Sequence, residues 1–144
     1  MGCASVRLAL PMINLFSMPP YVHLQNSTLD TQSLRRAASG PRSGAVVVFE
    51  GCPRDDSKTG KTTGLSYEAY EPMALAMMEE LRSAAIGRFS LNACYIHHRM
   101  GEVPLGETAI AVVCASAHRA EAFAAAAWLL DGIKSRVPIW KREM

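Results

Sequence analysis

The sequence predicts an α+β domain, and three observations carry that prediction. β-rich runs and helical segments mix without a regular strand–helix–strand alternation. Ala45 to Phe49 and Ile110 to Ala115 are apolar runs of strand length. Two longer segments, opening near Pro72 and Ser116, carry helix-start residues and apolar periodicity.

Residues 1–20 read as an N-terminal extension, a loose leader ending at Pro19-Pro20, and residues 21–144 as one domain. The first 29 residues lack Asp and Glu and carry only Arg7 as a full charge, a weakly transit-like composition. Met1-Gly2-Cys3 resembles a myristoylation start, but Val6 stands where Ser or Thr is wanted. Thr28 to Ala38 has room for a short helix, which Ser39-Gly40-Pro41 ends. Ala45 to Phe49 reads as a buried strand, and Asp55 to Gly64 as a polar, mobile loop.

Leu65 to Tyr70 alternates as a strand does, and Pro72 suits the first turn of the helix that follows. Met73, Met77 and Leu81 mark its apolar face, with an end near Gly87. Leu91 to Ile96 is a further strand, and Gly101 to Gly106 a turn region. Ile110 to Ala115 suits a strand covered on both faces. Ser116 is the expected N-cap of a helix running to about Arg136, buried around much of its circumference from Ala122 to Leu130. Val137 before Pro138 ends it.

Bulk properties narrow the function classes. With 49% hydrophobic and 19% charged residues, the composition is that of a folded domain. A net charge of +2 gives no bulk argument for a nucleic-acid partner, so functional charge must be local. No pair of cysteines has metal-site spacing; no metal is expected, and Cys94 and Cys114 read as buried thiols. No disulfide framework and no long apolar span are visible, which predicts a reducing, cytosolic setting and no membrane partner.

Five places carry chemistry. His118-Arg119 puts cationic residues at a helix N-terminus, against the dipole preference by a few tenths to about 1 kcal/mol. A bound phosphate or carboxylate reverses that cost; a solvated pair at a helix end is the plainer alternative. Lys134 lies on the helical stripe of Phe123, Ala127 and Leu130, where partial desolvation favours its neutral form. The alternative is a snorkelling lysine that complements the helix C-terminus.

Trp140-Lys141-Arg142-Glu143, with Lys134 and Arg136, places four cations in the last eleven residues. They form either a docking surface for an anionic substrate or a partner's carboxylate terminus, or a solvated tail. Arg54, presented by the turn after Phe49-Glu50-Gly51-Cys52-Pro53, suits bidentate phosphate binding. Cys52 has no visible charge partner that would activate a thiol. His97-His98 closes a strand with side chains on opposite faces, which suits packing better than chelation.

Five ordered blocks run through residues 44–143: Gly44-Ala45-Val46 with Phe49-x-Gly51-x-x-Arg54, then Leu65-x-Tyr67-Glu68-Ala69-Tyr70 and His98-Arg99-Met100-Gly101. They continue through Ser116-Ala117-His118-Arg119-x-x-Ala122-Phe123 and Lys134-x-Arg136-x-Pro138-x-Trp140-Lys141-Arg142-Glu143. On these blocks the chain resembles the large subunit of molybdopterin synthase. The resemblance implies a hammerhead-type fold with a mixed or antiparallel sheet and packed helices. It implies a heterotetramer: a central homodimer of large subunits, with a small ubiquitin-like sulfur carrier at each end inserting a thiocarboxylated Gly-Gly terminus.

The implied reaction converts cyclic pyranopterin monophosphate to molybdopterin, with no metal or redox cofactor. Lys134 matches the essential lysine and Lys141 a second lysine of the site. Arg54, His118 and Arg119 match pterin- or phosphate-binding positions, and Arg142 and Glu143 complete the substrate-binding set. Family members continue some twenty residues past the last block, whereas this sequence stops at Met144. A domain truncated at its C-terminus is therefore expected, and a non-catalytic assembly subunit of the same fold is the rival reading.

Overall fold

A computed structural model describes residues 18–144. The extension expected over residues 1–20 thus falls largely outside the described residues. In chain order the elements are β1 (Val22–Gln25), α1 (Thr31–Ala38), β2 (Ala45–Gly51), β3 (Gly64–Ala69) and α2 (Glu71–Phe89). Then follow β4 (Ala93–Arg99), β5 (Gly101–Pro104), β6 (Ile110–Ser116), α3 (Arg119–Arg136) and β7 (Ile139–Glu143). One sheet has the order β1-β4-β6-β2 and is antiparallel except for the parallel β1–β4 pair. The other, β5-β3-β7, is antiparallel throughout. The predicted α+β class, with a mixed sheet and packed helices, is borne out.

Period-2 alternation in the central strands builds the core. Val112 and Cys114 of β6, with Cys94 and Ile96 of β4, face α2 and α3. Ala111, Val113 and Ala115, with Tyr95, face the smaller layer of Leu29, Leu34 and Ala38 at α1. Strand β6 is thus covered on both faces, as its continuous apolar run predicted. Cys94 and Cys114 face each other across the β4–β6 ladder, fully buried as expected. Asp30 caps α1 by accepting the Ser33 N–H at 3.0 Å. Pro72 lies in the first turn of α2, and Ser90 closes that helix in the left-handed region at φ 52°.

Several expectations need correction. Strand β2 is not buried: it is an edge strand, and Val48 and Phe49 remain partly exposed. The inward face of α2 is Ala74, Met78, Leu81 and Ala85; of the predicted stripe Leu81 is buried and Met77 packs partly against the core, while Met73 is exposed. Helix α2 runs on past Gly87 to Phe89. The predicted turn at Gly101 to Gly106 contains β5, and both β1 and β7 are additional strands. His118, not Ser116, is the N-cap of α3. Ser116 ends β6, and its buried hydroxyl donates to the His118 carbonyl. Helix α3 is one-sided rather than buried all round: Ala122, Ala125, Ala126, Leu129 and Ile133 face in, and Phe123 is 62% exposed.

Arg82 ties α2 to the sheet. Its Nε donates to the Cys94 carbonyl at 2.8 Å and its Nη1 to Glu79 at 2.9 Å, while the guanidinium lies 3.7 Å from the Tyr21 ring centroid. Removing this buried group leaves the carbonyl without its side-chain donor and Tyr21 without its packing partner. Arg82→Ala should therefore cost on the order of 2 kcal/mol of folding stability. A urea midpoint equal to that of the parent chain would show that the bracket is dispensable.

Candidate active site

Topology sorts the sequence-predicted residues into two groups. Strand β6 ends at Ser116, α3 turns back over β6 and β2, and its C-terminus returns to the end where Ile110 pairs with Gly51. Arg54, three residues beyond Gly51, and Lys134, in the last turn of α3, therefore belong to the same end of the sheet. Val137 and Pro138 then lead directly into β7, which carries Lys141. His118 and Arg119 sit at the opposite end, at the start of α3. All five side chains are exposed. The structure brings Arg54, Lys134 and Lys141 to one end and keeps His118 and Arg119 away from it.

Strand alternation divides the last block. Lys141 pairs with Tyr67 and Glu143 with Leu65, so these share one face of the small sheet. Arg142 and Trp140 project from the other face, where Arg142 makes a loose 4.0 Å contact with Glu68. Arg142 thus does not share the face of Lys141. Arg54 pairs weakly with Asp56 at 3.6 Å, both side chains being largely exposed. This is an ion pair worth little, which an anionic ligand can displace.

The sequence reading missed Tyr67 as a neighbour of Lys141. The Tyr67 ring meets His98 edge-on, with centroids 4.8 Å apart. Burial, followed by the nearby Cys52, pushes the Tyr67 phenol above its ordinary value. Burial pulls His98 below the ordinary imidazole value of 6.5, against the opposing pull of its hydrogen bond to the Arg99 carbonyl at 2.8 Å. His97 is lowered in the same way, although Nε2 meets the Pro20 carbonyl at 2.6 Å. The two histidines pack on opposite faces, as the strand reading held. Tyr67 lies in a motif legible in sequence, but the β3–β7 register that sets it beside Lys141 is not.

The expected desolvation of Lys134 is not supplied within this chain, because Lys134 is exposed and, of its stripe, Phe123 and Ala127 lie on the outer side of α3 while only Leu130 packs partly against the core. The inner side is the alanine-rich face already described. Among the described residues, no three His, Cys, Asp or Glu side chains gather as metal ligands, and no helix is long and apolar enough to cross a membrane.

Three helices over two sheets, with a basic end, define an α+β protein. The solved molybdopterin synthase from Staphylococcus aureus superposes with a TM-score of 0.80 at 32% identity, covering 84% of this chain and 88% of that one. The model of the MoaE protein family matches residues 24–136, and the chain belongs to this family, that of the molybdopterin synthase catalytic subunits. It is 40% identical over 127 residues to the catalytic subunit from Emericella nidulans, covering 88% of this chain and 65% of that protein. The counterpart from Pyrococcus abyssi is 45% identical over 106 residues, or 74% of this chain and 72% of that one. The chain thus spans just under two thirds of the fungal relative.

The two buried histidines set a pH dependence. Their folded-state values lie below 6.5, so the unfolded chain binds more protons as pH falls through 6.5. Their contribution is complete above that value and is lost below it, down to the folded-state values. Urea midpoints should fall between pH 7.5 and 5.5, and the double variant His97→Gln, His98→Gln should flatten that fall. An equal slope in parent and variant would assign the acid sensitivity to other groups.

Proposed function

We propose that this chain is the catalytic subunit of a molybdopterin synthase. It would convert cyclic pyranopterin monophosphate to molybdopterin with sulfur from a thiocarboxylated small subunit. The observation that carries this reading is the coincidence of family membership with the gathering of Arg54, Lys134 and Lys141 at one end of the fold. The thiocarboxylate sulfur is the nucleophile, and the pterin side chain the electrophile. Lys134 and Lys141 stabilise developing negative charge or handle protons there, and Arg54 holds phosphate.

A small ubiquitin-like partner fits the same end. Strand β7 is the outer strand of its sheet, and it bears Lys141 and Arg142. An extended tail ending in a thiocarboxylate would find unpaired backbone groups and cations together. The relatives' own designation as a subunit accords with a second chain.

His118 and Arg119 enter the reading only through a second copy. Arg119 and Lys134 lie fifteen residues apart on one continuous helix, about 22 Å along its axis at 1.5 Å per residue. A pterin phosphate is on the order of 10 Å long, about the width of a helix with its side chains. Each site therefore takes Lys134 from one large subunit and His118 with Arg119 from its twofold mate.

Lys134→Ala and Arg119→Ala should each lack dithiolene formation while remaining folded. Mixed with subunit exchange, they should recover about a quarter of wild-type activity, since half the dimers are mixed and each has one intact site. Exchange without recovery would place both residues in one chain's site or outside it. For docking, charge reversal at Lys141 and Arg142 should weaken small-subunit binding and flatten its salt dependence. Equal affinity at two ionic strengths would make the segment a solvated strand.

A further inference from the structure

We propose that His23 and His97 together bind a zinc ion in the cleft between β1, β4 and the start of α1, with water completing the coordination. His23 and His97 are partners in the parallel β1–β4 register. Paired residues of neighbouring strands project to the same face of a sheet. The two rings accordingly stand side by side, with centroids 5.4 Å apart and planes tilted by 54°. The sequence neighbours His97 and His98 have no such arrangement, because His98 points to the other face and packs on Tyr67.

The ring spacing matches a chelate. Zinc–imidazole bonds are about 2.0–2.1 Å long, and a tetrahedral angle between two of them sets the ring centres on the order of 5 Å apart. The observed 5.4 Å lies within a small side-chain rotation of that. His97 also has the outer hydrogen bond that metal-ligating histidines use. A carbonyl oxygen can only accept, so His97 Nε2, 2.6 Å from the Pro20 carbonyl, bears the proton and donates it. That bond fixes the tautomer and leaves the Nδ1 lone pair for an ion.

The surroundings favour a cation. The cleft measures about 210 Å³ and is lined by both histidines, Gln25 and Asp30. It is roomy enough for a hydrated ion, since one ordered water needs only about 15 Å³ of such space. Asp30 uses Oδ1 to cap α1 and makes no ion pair among the described residues. Its charge offsets that of the ion, and Oδ2 can accept from a metal-bound water. Two imidazoles beside one carboxylate suit zinc better than magnesium or calcium, which take oxygen ligands. The cleft lies on the face of the large sheet opposite Tyr67, apart from the basic end. Strand β1 is a four-residue edge strand joined to the sheet through β4 alone. An ion held by both strands clamps that edge and stabilises the folded chain by mass action.

The test reads binding and stability rather than turnover. A background of Cys3→Ser and Cys52→Ser removes competing thiols, Cys94 and Cys114 being fully buried. In that chain, free of any affinity tag and stripped with a chelator, zinc chloride titrated by calorimetry should saturate at one ion per chain and raise Tm by several degrees. His23→Asn and His97→Asn should each weaken binding by about tenfold or more. His118→Asn, at the far end of the sheet, should leave it unchanged. Because replacing the buried His97 can disturb the fold, the chain with both histidines supplies a second reading. There the imidazole NMR signals of His23 and His97 should move on adding zinc, and that of His118 should stay. No saturable heat and no histidine shift at millimolar zinc overturns the site. Binding that survives His23→Asn, or is lost with His118→Asn, overturns it too, since either marks adsorption elsewhere on the surface.

Discussion

The burial of one face of α3 on β6 and β2 is the constraint on which the remaining arrangement depends. Ala122, Ala125, Ala126, Leu129 and Ile133 fix the helix's rotation, and everything on its outer side follows. Small residues let it sit close. Gly132 is an example: a Cβ added there would lie 2.9 Å from Leu81 Cδ2 of α2, so the crossing of the two helices tolerates nothing larger without movement. A straight helix held this way is a ruler. It keeps the cations at its two ends about 22 Å apart, and it delivers the chain through Pro138 into β7.

The electrostatics of the basic end follow from the same layout. Burial favours the neutral imidazole of His98, which packs against Tyr67, the cross-strand neighbour of Lys141. The local positive potential therefore comes from exposed lysines and arginines, not from a titrating imidazole. Exposed cations are well solvated, and their attraction for an anion is weak while water surrounds them. A bound partner or second subunit that excludes water strengthens that attraction without moving any residue of this chain. A site left open in the single chain is thus what chemistry between chains requires.

How much was legible in the sequence depends on the range of the signal. The long helices, the central strand β6 and the class came through because each depends on its own periodicity. The facing of the helices did not. In α2 the predicted stripe held at Leu81 and failed at Met73, and in α3 the large Phe123 drew a stripe whose exposed start lies opposite an inward face rich in alanine. Periodicity finds a stripe of large apolar residues, but close packing selects small ones wherever helices crowd a sheet. The short strands β1, β5 and β7 were missed because four or five residues carry little local signal and owe their form to neighbouring strands. The same holds for the site: Lys134 and Lys141 were visible as residues, whereas Tyr67 beside Lys141 depends on register.

The misread stripe of α3 is informative for that reason. A sequence-local pattern that predicts burial, found exposed in the isolated chain, points to burial by something else. Phe123 is 62% exposed where it stands, whereas Leu130 packs partly against the core. Arg119 likewise stands against the dipole of its own helix, where Glu121 is the acidic residue of the first turn.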